Sequence, residues 1–327
     1  MILDRLIKFS IIGIVFFLPL SSGAVNTLIA AGIALWLAKK IITRDAKLSR
    51  VSLNLPLFVF FAVSCVSIVN SIEPAASLRG LEKILKYVGI YFLMAENVRD
   101  IRALKNILAA LFLGAVVACL DGLFQYATGS DPIPSNPLII NVGLKRMTST
   151  FRHCNDFGVY LVTVAGIIWP LALYGLKNRM RVLGLAIASL ITLCVILTFS
   201  RGAALGLYGA LFLMAFVKKD RLVLIILILS LAAIPFLLPS GVKEWGKTTG
   251  SFLEFFCNSD RIVFYRSAAR MIKDHPFIGV GINTFMKAYP KYKVRDTEVI
   301  TGEQCYAHNN YLQMAGEIGL LGLGGCF

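Results

Sequence analysis

Long apolar stretches alternate with short polar ones along most of the chain. A helix needs about 20 mostly apolar residues to cross roughly 30 Å of hydrocarbon, with a usable range of about 17–25. Ten stretches meet or approach this length: residues 6–23, 24–42, 54–70, 77–96, 103–125, 156–176, 182–199, 202–217, 222–238 and 306–326. The short alternating segments typical of a membrane β-barrel do not occur in the sequence. The pattern therefore predicts an all-α polytopic membrane protein with about 10 transmembrane helices.

The composition fits this class of protein. Of the 327 residues, 57% are hydrophobic and 16% are charged, and the mean hydropathy is +0.75. A water-soluble globular protein carries far less apolar surface. No repeat and no separable soluble segment interrupts the pattern, so residues 1–327 are predicted to form a single integral-membrane domain.

The positions of Lys and Arg indicate how the chain is oriented. Short cytoplasmic loops carry an excess of these residues, whereas acidic residues have little influence. With a cytoplasmic N-terminus, the short inner segments hold 16 basic residues and the short outer loops hold five, which are Arg79, Lys145, Arg146, Arg152 and Arg201. The first apolar stretch has no convincing cleavage site, so we expect a retained anchor and a multi-pass protein whose N-terminus is cytoplasmic.

One polar segment, residues 239–307, is much longer than the others. The orientation places it outside the cytoplasm, and its ten basic residues do not oppose this, because loops longer than about 60 residues cross largely regardless of charge. Helical spacing at residues 252–256 and 260–273 predicts short helices within it, followed by a turn at residues 279–281. Cys257 and Cys305 share the loop; a disulfide in an oxidising compartment and two free thiols are both open.

The net charge of +15 at pH 7 has a plain explanation. In a soluble protein it would suggest a nucleic-acid partner, but topology and anionic lipid headgroups account for most of it here. Membrane lipids are therefore the expected surroundings, and nucleic-acid binding is not expected. The seven cysteines and three histidines show no metal-binding spacing such as Cys-x-x-Cys, so the sequence predicts neither a metal nor a cofactor.

Several arginines lie on the predicted outer side. Arg201 stands in an apolar turn, where a guanidinium is usually paired or functional, although a snorkelling residue at a helix end is the alternative. Arg261, Tyr265 and Arg266 lie on a predicted helix, and the first two are four residues apart on one face. Arginine matches phosphate oxygens bidentately, but a solvated basic helix face would look the same. Arg146 lies on the same predicted outer side and would add to its positive charge.

All three histidines, at positions 153, 275 and 308, fall on this outer side. His275 precedes a proline at a helix end, where a structural role is the better interpretation. His308 begins the last apolar stretch, where an imidazole, which titrates at about pH 6.5 when free, could be the general base for a hydroxyl. His153 lies in a loop, where a solvated ring is the simpler interpretation. Glu317 and Asp121 are carboxylates within apolar stretches and are expected to have partners inside the protein.

Three blocks of sequence carry a family resemblance. They are Phe199-Ser200-Arg201-Gly202-Ala203, then residues 261–285 with Asp274-His275-Pro276 and Gly279-Val280-Gly281, then Ala307-His308-Asn309-Asn310-Tyr311 continuing to Glu317-Ile318-Gly319. In this order and spacing, the set resembles the O-antigen ligase and polymerase superfamily of bacterial envelope glycan enzymes. Residues 146–158 resemble a weaker upstream block of the same family.

The resemblance implies a metal-independent, inverting glycosyltransferase of the bacterial inner membrane, with its long loop in the periplasm. Its donor would be a glycan on undecaprenyl diphosphate, and its acceptor would be a second glycan or lipid A-core. Carried over by motif, Arg201, Arg261 and Arg266 would bind the donor diphosphate, and His308 would activate the acceptor hydroxyl. Further candidate substrate-binding residues are Arg146, Asn155 and Tyr265.

Other interpretations stay open at this point. The sequence does not choose between a ligase that modifies lipid A-core and a polymerase that joins repeat units. A transporter or flippase of lipid-linked sugars would place charges and broken helices near the bilayer midplane, whereas the polar exceptions here gather at one face. A scaffold without catalysis has no positive sign. Family members commonly continue after the histidine helix, so the chain is expected to be C-terminally truncated relative to the family.

Overall fold

The computed structural model describes residues 2–45, 47–49, 51–130, 133, 139–141, 144–237, 259–294 and 306–324. Within them the helices are α1 (Ile2–Phe17), α2 (Ser22–Thr43), α3 (Asn54–Ser67), α4 (Pro74–Asn97), α5 (Ile101–Thr128), α6 (Cys154–Pro170), α7 (Asn178–Leu197), α8 (Arg201–Lys218), α9 (Arg221–Leu237), α10 (Ser259–Asp274), α11 (Phe285–Tyr292) and α12 (Asn310–Gly324). A π-helix, Leu171–Gly175, extends α6. Strands β1 (Ile139–Asn141) and β2 (Leu144–Arg146) form an antiparallel hairpin. The described chain is thus all-α apart from this hairpin, which the apolar pattern did not predict.

Each of the ten predicted spans coincides with a helix, namely α1 to α9 and α12. Among the described residues, five helices are long and apolar enough to cross a membrane: α2, α5, α6 with its π-helical extension, α7 and α8. Helix α3 and Arg221–Ala232 of α9 are apolar but shorter. Large apolar side chains lie exposed on the apolar helices, as expected for surfaces that face lipid; Leu205, Leu213 and Phe216 of α8 are examples. The total of about 10 crossings stays a prediction.

The chain folds into two compact units, each made of two segments. Met1–Lys39 and Asn97–Thr249 form the first unit. Lys40–Glu96 and Gly250–Phe327 form the second. The predicted single integral-membrane domain stays a prediction.

The core of the first unit lies where α6 packs against α5, α7 and α8. Phe157 and Leu161 of α6 are fully buried together with Ile191 of α7. At Gly158 the helix comes so close to the start of α8 that an added Cβ would lie 2.8 Å from the Cβ of Ala203. Small residues of this kind let membrane helices approach closely.

Part of the basic cluster predicted to face the cytoplasm is paired with acids in the structure. In the first unit, Lys8 Nζ lies 3.1 Å from Asp100 Oδ2, and Lys39 Nζ lies 2.8 Å from Asp4 Oδ1. Asp100 also caps α5 by accepting from the Ala103 N–H. That hydrogen bond, followed by the one from Lys8, lowers the pKa of the Asp100 carboxyl. The acids therefore balance some of the positive charge that fixes the predicted orientation.

The second unit has a separate core formed by α10 and α11. Phe264 and Met271 of α10 are buried against Phe285 and Tyr289 of α11. Helix α10 confirms the helix predicted at residues 260–273. The other predicted loop helix, 252–256, and the cysteines at 257 and 305 lie outside the described residues.

The last helix of this unit is broken. Within α12, Gly319 has φ 72° and ψ −178°, a conformation that interrupts the helical hydrogen bonds. The backbone of residues 276–281 bonds the groups around this break: the Val280 N–H donates to Gly316 O at 3.0 Å, and the Leu320 N–H donates to Pro276 O at 2.8 Å. The predicted last span, 306–326, is therefore not one continuous helix.

Two glycine sites allow this backbone-to-backbone contact, which we call the Gly279–Gly319 interlock. An added Cβ at Gly319 would overlap the Phe277 carbonyl, and one at Gly279 would overlap the backbone of Glu317. Both glycines have positive φ, as has Gly281 in the turn predicted at residues 279–281. The α3–α4 loop binds the other edge of the turn, because the Ile72 N–H donates to Val280 O at 3.1 Å.

The interlock predicts a large cost for Gly319→Ala. The new methyl group would collide with backbone, and alanine does not readily adopt this conformation, so we expect a loss of about 2–5 kcal/mol in the free energy of unfolding. Reversible denaturant unfolding of detergent-purified protein measures this. Gly324→Ala is the control, because its added Cβ meets nothing within 4 Å. Equal unfolding midpoints for the two variants would contradict the interlock.

Candidate functional site

The predicted site residues fall into two groups, one in each unit. Arg146, Asn155 and Arg201 belong to the first unit, and Arg261, Tyr265, Arg266 and His308 belong to the second.

Arg201 is the first residue of α8, directly after a short turn. Helix α7 ends at Leu197, so residues 198–200 make the whole connection. Ser200 caps α8 by accepting from the Ala203 N–H at 3.5 Å, and Phe199 has a positive φ of 48°. The Arg201 side chain is half-buried with its Nη1 atom fully buried. The structure thus places the backbone of this arginine at a helix N-terminus, where backbone N–H groups favour anions.

Arg146, at the end of β2, donates hydrogen bonds to the same turn. Its Nε donates to Thr198 O at 3.1 Å, and its Nη2 donates to Phe199 O at 3.2 Å. The same Nη2 donates to Asn155 Oδ1 at 3.1 Å. The structure therefore brings Arg146 and Asn155, two predicted substrate-binding residues, to the turn that precedes Arg201.

A buried polar network on α5 holds the chain that carries Arg146. Gln125 Oε1 accepts from the N–H groups of Thr148 and Ser149 at 3.1 and 3.0 Å. Asp121 Oδ2 accepts from Ser149 Oγ at 2.8 Å, so the partner predicted for this carboxylate is confirmed. Gln125 was missed in the sequence, where an amide inside an apolar stretch was the available signal.

His308 stands two residues before the first residue of α12 in the second unit. Ala307 is buried, His308 has a positive φ of 49°, and Asn309 caps the helix by accepting from the Leu312 N–H at 3.1 Å. The imidazole is exposed, and its centroid lies 5.5 Å from that of the Phe264 ring in an edge-on arrangement. A reacting hydroxyl could therefore reach a ring that α10 and the helix cap hold in place.

Helix α10 carries both of the predicted loop arginines. Its buried face carries Phe264, which contacts His308. Arg266 is exposed and follows Phe264 by two residues, which places it on the opposite side of the helix; Tyr265 is half-buried. The side chain of Arg261, in the first turn of α10, lies outside the described part of the structure.

Glu317 ties α12 to the start of α11. Its Oε2 accepts from the Asn283 N–H at 2.8 Å, and its Oε1 accepts from the Phe285 N–H at 3.1 Å. Thr284, at the N-cap position, makes no side-chain capping bond, so the Glu317 carboxylate does the capping instead. The partner predicted for this buried acid is confirmed.

His275 has the structural partners expected of it. The amide nitrogen of Asn70 can only donate, and it lies 2.9 Å from His275 Nδ1 and 2.9 Å from Gly279 O. The ring nitrogen therefore accepts, which joins the end of α10 to the Gly279–Gly319 interlock. Of the three histidines, His308 has the geometry best suited to chemistry on a bound hydroxyl.

Residues 186–327 match the family model described as O-antigen ligase. Over these residues the chain is similar to the O-antigen ligase family, and we call them the O-antigen ligase domain. The match confirms the resemblance drawn from the three sequence blocks, and together with the apolar helices it supports a membrane glycosyltransferase of the ligase or polymerase type. No curated protein matches the chain.

The O-antigen ligase domain includes Arg201, Arg261, Arg266 and His308. Arg146 lies before its first matched residue. The structure nevertheless connects Arg146 with the domain, because both carbonyls that it binds at the 198–200 turn lie inside the match. The upstream block at residues 146–158 therefore packs on the first of the three domain blocks.

Glu317 offers a test of how the O-antigen ligase domain holds α11. Glu317→Ala would leave two backbone donors without their acceptor, at about 1–3 kcal/mol each, so we expect a loss of about 2–4 kcal/mol in the free energy of unfolding. Glu317→Gln keeps one oxygen and should lose roughly half as much. Chemical unfolding and hydrogen exchange of residues 283–292 measure the two effects.

The matched control is Glu82→Ala, since Glu82 is an exposed glutamate of the same unit. It should leave both measurements unchanged. Normal exchange protection of α11 in Glu317→Ala would show that the carboxylate does not cap this helix.

Proposed function

We propose that this chain transfers a glycan from undecaprenyl diphosphate to an acceptor glycan at the periplasmic face of the bacterial inner membrane. The family match supports the class of reaction. The observation that carries the proposal is His308, an exposed imidazole whose ring lies edge-on to Phe264, directly before the Asn309 cap of α12.

In the proposed step, neutral His308 takes the proton of an acceptor hydroxyl. The acceptor oxygen forms a bond to the anomeric carbon of the donor sugar while the bond between that carbon and the diphosphate oxygen breaks. The leaving undecaprenyl diphosphate keeps the electron pair. Attack from the side opposite the leaving group inverts the anomeric centre. A positioned base of this kind typically contributes about 10²–10⁴ in rate.

Arginines supply the electrostatic part of the proposal. Negative charge grows on the diphosphate as it leaves, and fixed cations aimed at that charge stabilise the transition state. Arg201 and Arg261 are assigned this role by their place in the matched domain. Arg266 has the same chemistry, but its position on the far side of α10 makes it the weaker candidate.

The transporter alternative has to account for the broken helix. Secondary transporters use helix breaks to expose backbone groups to substrate. At the break in α12, residues 276–281 accept or donate the hydrogen bonds of Gly316, Glu317, Leu320 and Leu321. Backbone groups that are already bonded to protein are poor ligands for a transported sugar, so the break supports the transferase over the transporter.

The test of the base is His308→Ala in purified, membrane-reconstituted protein supplied with an undecaprenyl-diphosphate glycan and an acceptor glycan. We expect a fall of about 10²–10⁴ in the rate of transfer because the hydroxyl loses its proton acceptor. His153→Ala is the control, since His153 is exposed and makes no capping bond to α6. Full transfer by the His308 variant would remove it from the mechanism, and sugar movement without transfer would favour the transporter.

The product of the same assay distinguishes the two activities of the superfamily. Glycan found on lipid A-core identifies a ligase, and a lengthened lipid-linked glycan identifies a polymerase.

The two α10 arginines should differ. Arg261→Ala is expected to slow transfer at least about tenfold more than Arg266→Ala, because a charge-assisted contact to phosphate contributes about 1.5–3 kcal/mol where it is made. Initial rates at low donor concentration measure this. Equal losses would indicate that binding of the donor depends on the total charge of α10 and not on Arg261 in particular.

A further inference from the structure

We propose that Arg146 is a positioning residue: its guanidinium holds the 198–200 turn in the conformation that places Arg201, and it does not itself bind the donor. This inference rests on the proposed function for the role of Arg201, and on hydrogen bonds in the first unit for everything else.

The 198–200 turn needs stabilising contacts because its backbone conformation is unfavourable by itself. Phe199 has φ 48°, in the left-handed region that bulky residues rarely occupy. Conformations of this kind persist only where the surrounding structure fixes them, and they cluster at functional sites. The residue two positions later is Arg201.

Arg146 has the geometry of a clamp on this turn. Its planar fork reaches two successive carbonyl oxygens, Thr198 O at 3.1 Å and Phe199 O at 3.2 Å. The carbonyl of Phe199 belongs to the strained residue itself. Lysine could not reproduce the contact, because an ammonium is a point charge that lacks the fixed angles of the fork.

The segment that carries Arg146 is itself held in place by hydrogen bonds. The residue after Arg146 pairs with the end of α7, through the Met147 N–H and Leu197 O at 3.1 Å. Gln125 and Asp121 fix the next two residues through the buried network on α5. Arg146 therefore stands on a rigid segment and is poorly suited to follow a mobile lipid-linked ligand.

The opposite side of the turn is closed by α6. An added Cβ at Gly158 would lie 3.3 Å from the Cβ of Ser200 and 3.3 Å from Thr198 Oγ1. Asn155, one helical turn before Gly158, accepts from the same guanidinium nitrogen that binds Phe199 O. Guanidinium and helix thus confine the 198–200 turn from two directions, which assigns Asn155 to the same positioning role.

The conformation of the 198–200 turn can be measured without an activity assay. A fluorinated phenylalanine at position 199 gives a ¹⁹F resonance that reports the local conformation. We expect this resonance to shift and broaden in both Arg146→Ala and Arg146→Lys, because both lose the fork. Lys145→Ala, which removes the neighbouring exposed cation, should leave it unchanged.

Transfer kinetics supply the second readout. Arg146→Ala and Arg146→Lys should each lower kcat by on the order of 10²-fold, the size of loss expected when a reacting group is misplaced by about 1 Å. In an Arg201→Ala background the Arg146 substitutions should have little further effect, since the residue they position is already gone. A residue that bound the donor directly would behave differently, because the losses at positions 146 and 201 would then multiply.

The outcomes separate the two proposals. An unchanged ¹⁹F resonance in Arg146→Ala, or near-normal turnover in Arg146→Lys, overturns the positioning role whatever the protein catalyses. A resonance that shifts in Arg146→Ala, when the wild-type protein shows no transfer activity, supports the clamp and counts against the proposed function alone. If Arg146→Ala fails to fold, Asn155→Ala provides the test, with a smaller shift of the same resonance expected.

Discussion

Buried backbone must find its hydrogen bonds inside the protein, and the irregular parts of this structure depend on that constraint. A regular helix satisfies its own N–H and C=O groups, but a break or a tight turn frees some of them, which is costly away from water. The second unit meets the requirement with backbone, because residues 276–281 bind the groups released around Gly319. The first unit meets it with a side chain, because Arg146 binds the carbonyls of the 198–200 turn.

Two candidate functional residues lie at the starts of helices. Arg201 begins α8 and His308 precedes α12, and in each case a residue with positive φ stands at the entrance to the helix, Phe199 in the first and His308 itself in the second. A helix start is rigid on one side and open on the other, so a side chain there can be held and still reach a ligand. The N–H groups at a helix start also favour negative charge, as the proposed diphosphate donor would carry.

Apolar periodicity was sufficient to locate the helices, since long apolar runs have few other stable forms in a membrane. Motif spacing predicted Arg201 and His308 as site residues, and both assignments stay predictions. Neither signal could reveal that Arg146 binds carbonyls and does not point freely outward, because that depends on two segments about 50 residues apart meeting in space. The same applies to the interruption of α12: the sequence shows a glycine at position 319, but only the facing Phe277 carbonyl explains why it must be one.

The Gly279–Gly319 interlock links the parts of the second unit that stand on either side of it. It joins residues 276–281 to the middle of α12, so α11, which follows the first of these segments, and His308, which precedes the second, depend on the same backbone contact. A substitution that displaced either glycine would therefore move the start of α11 and α12 together.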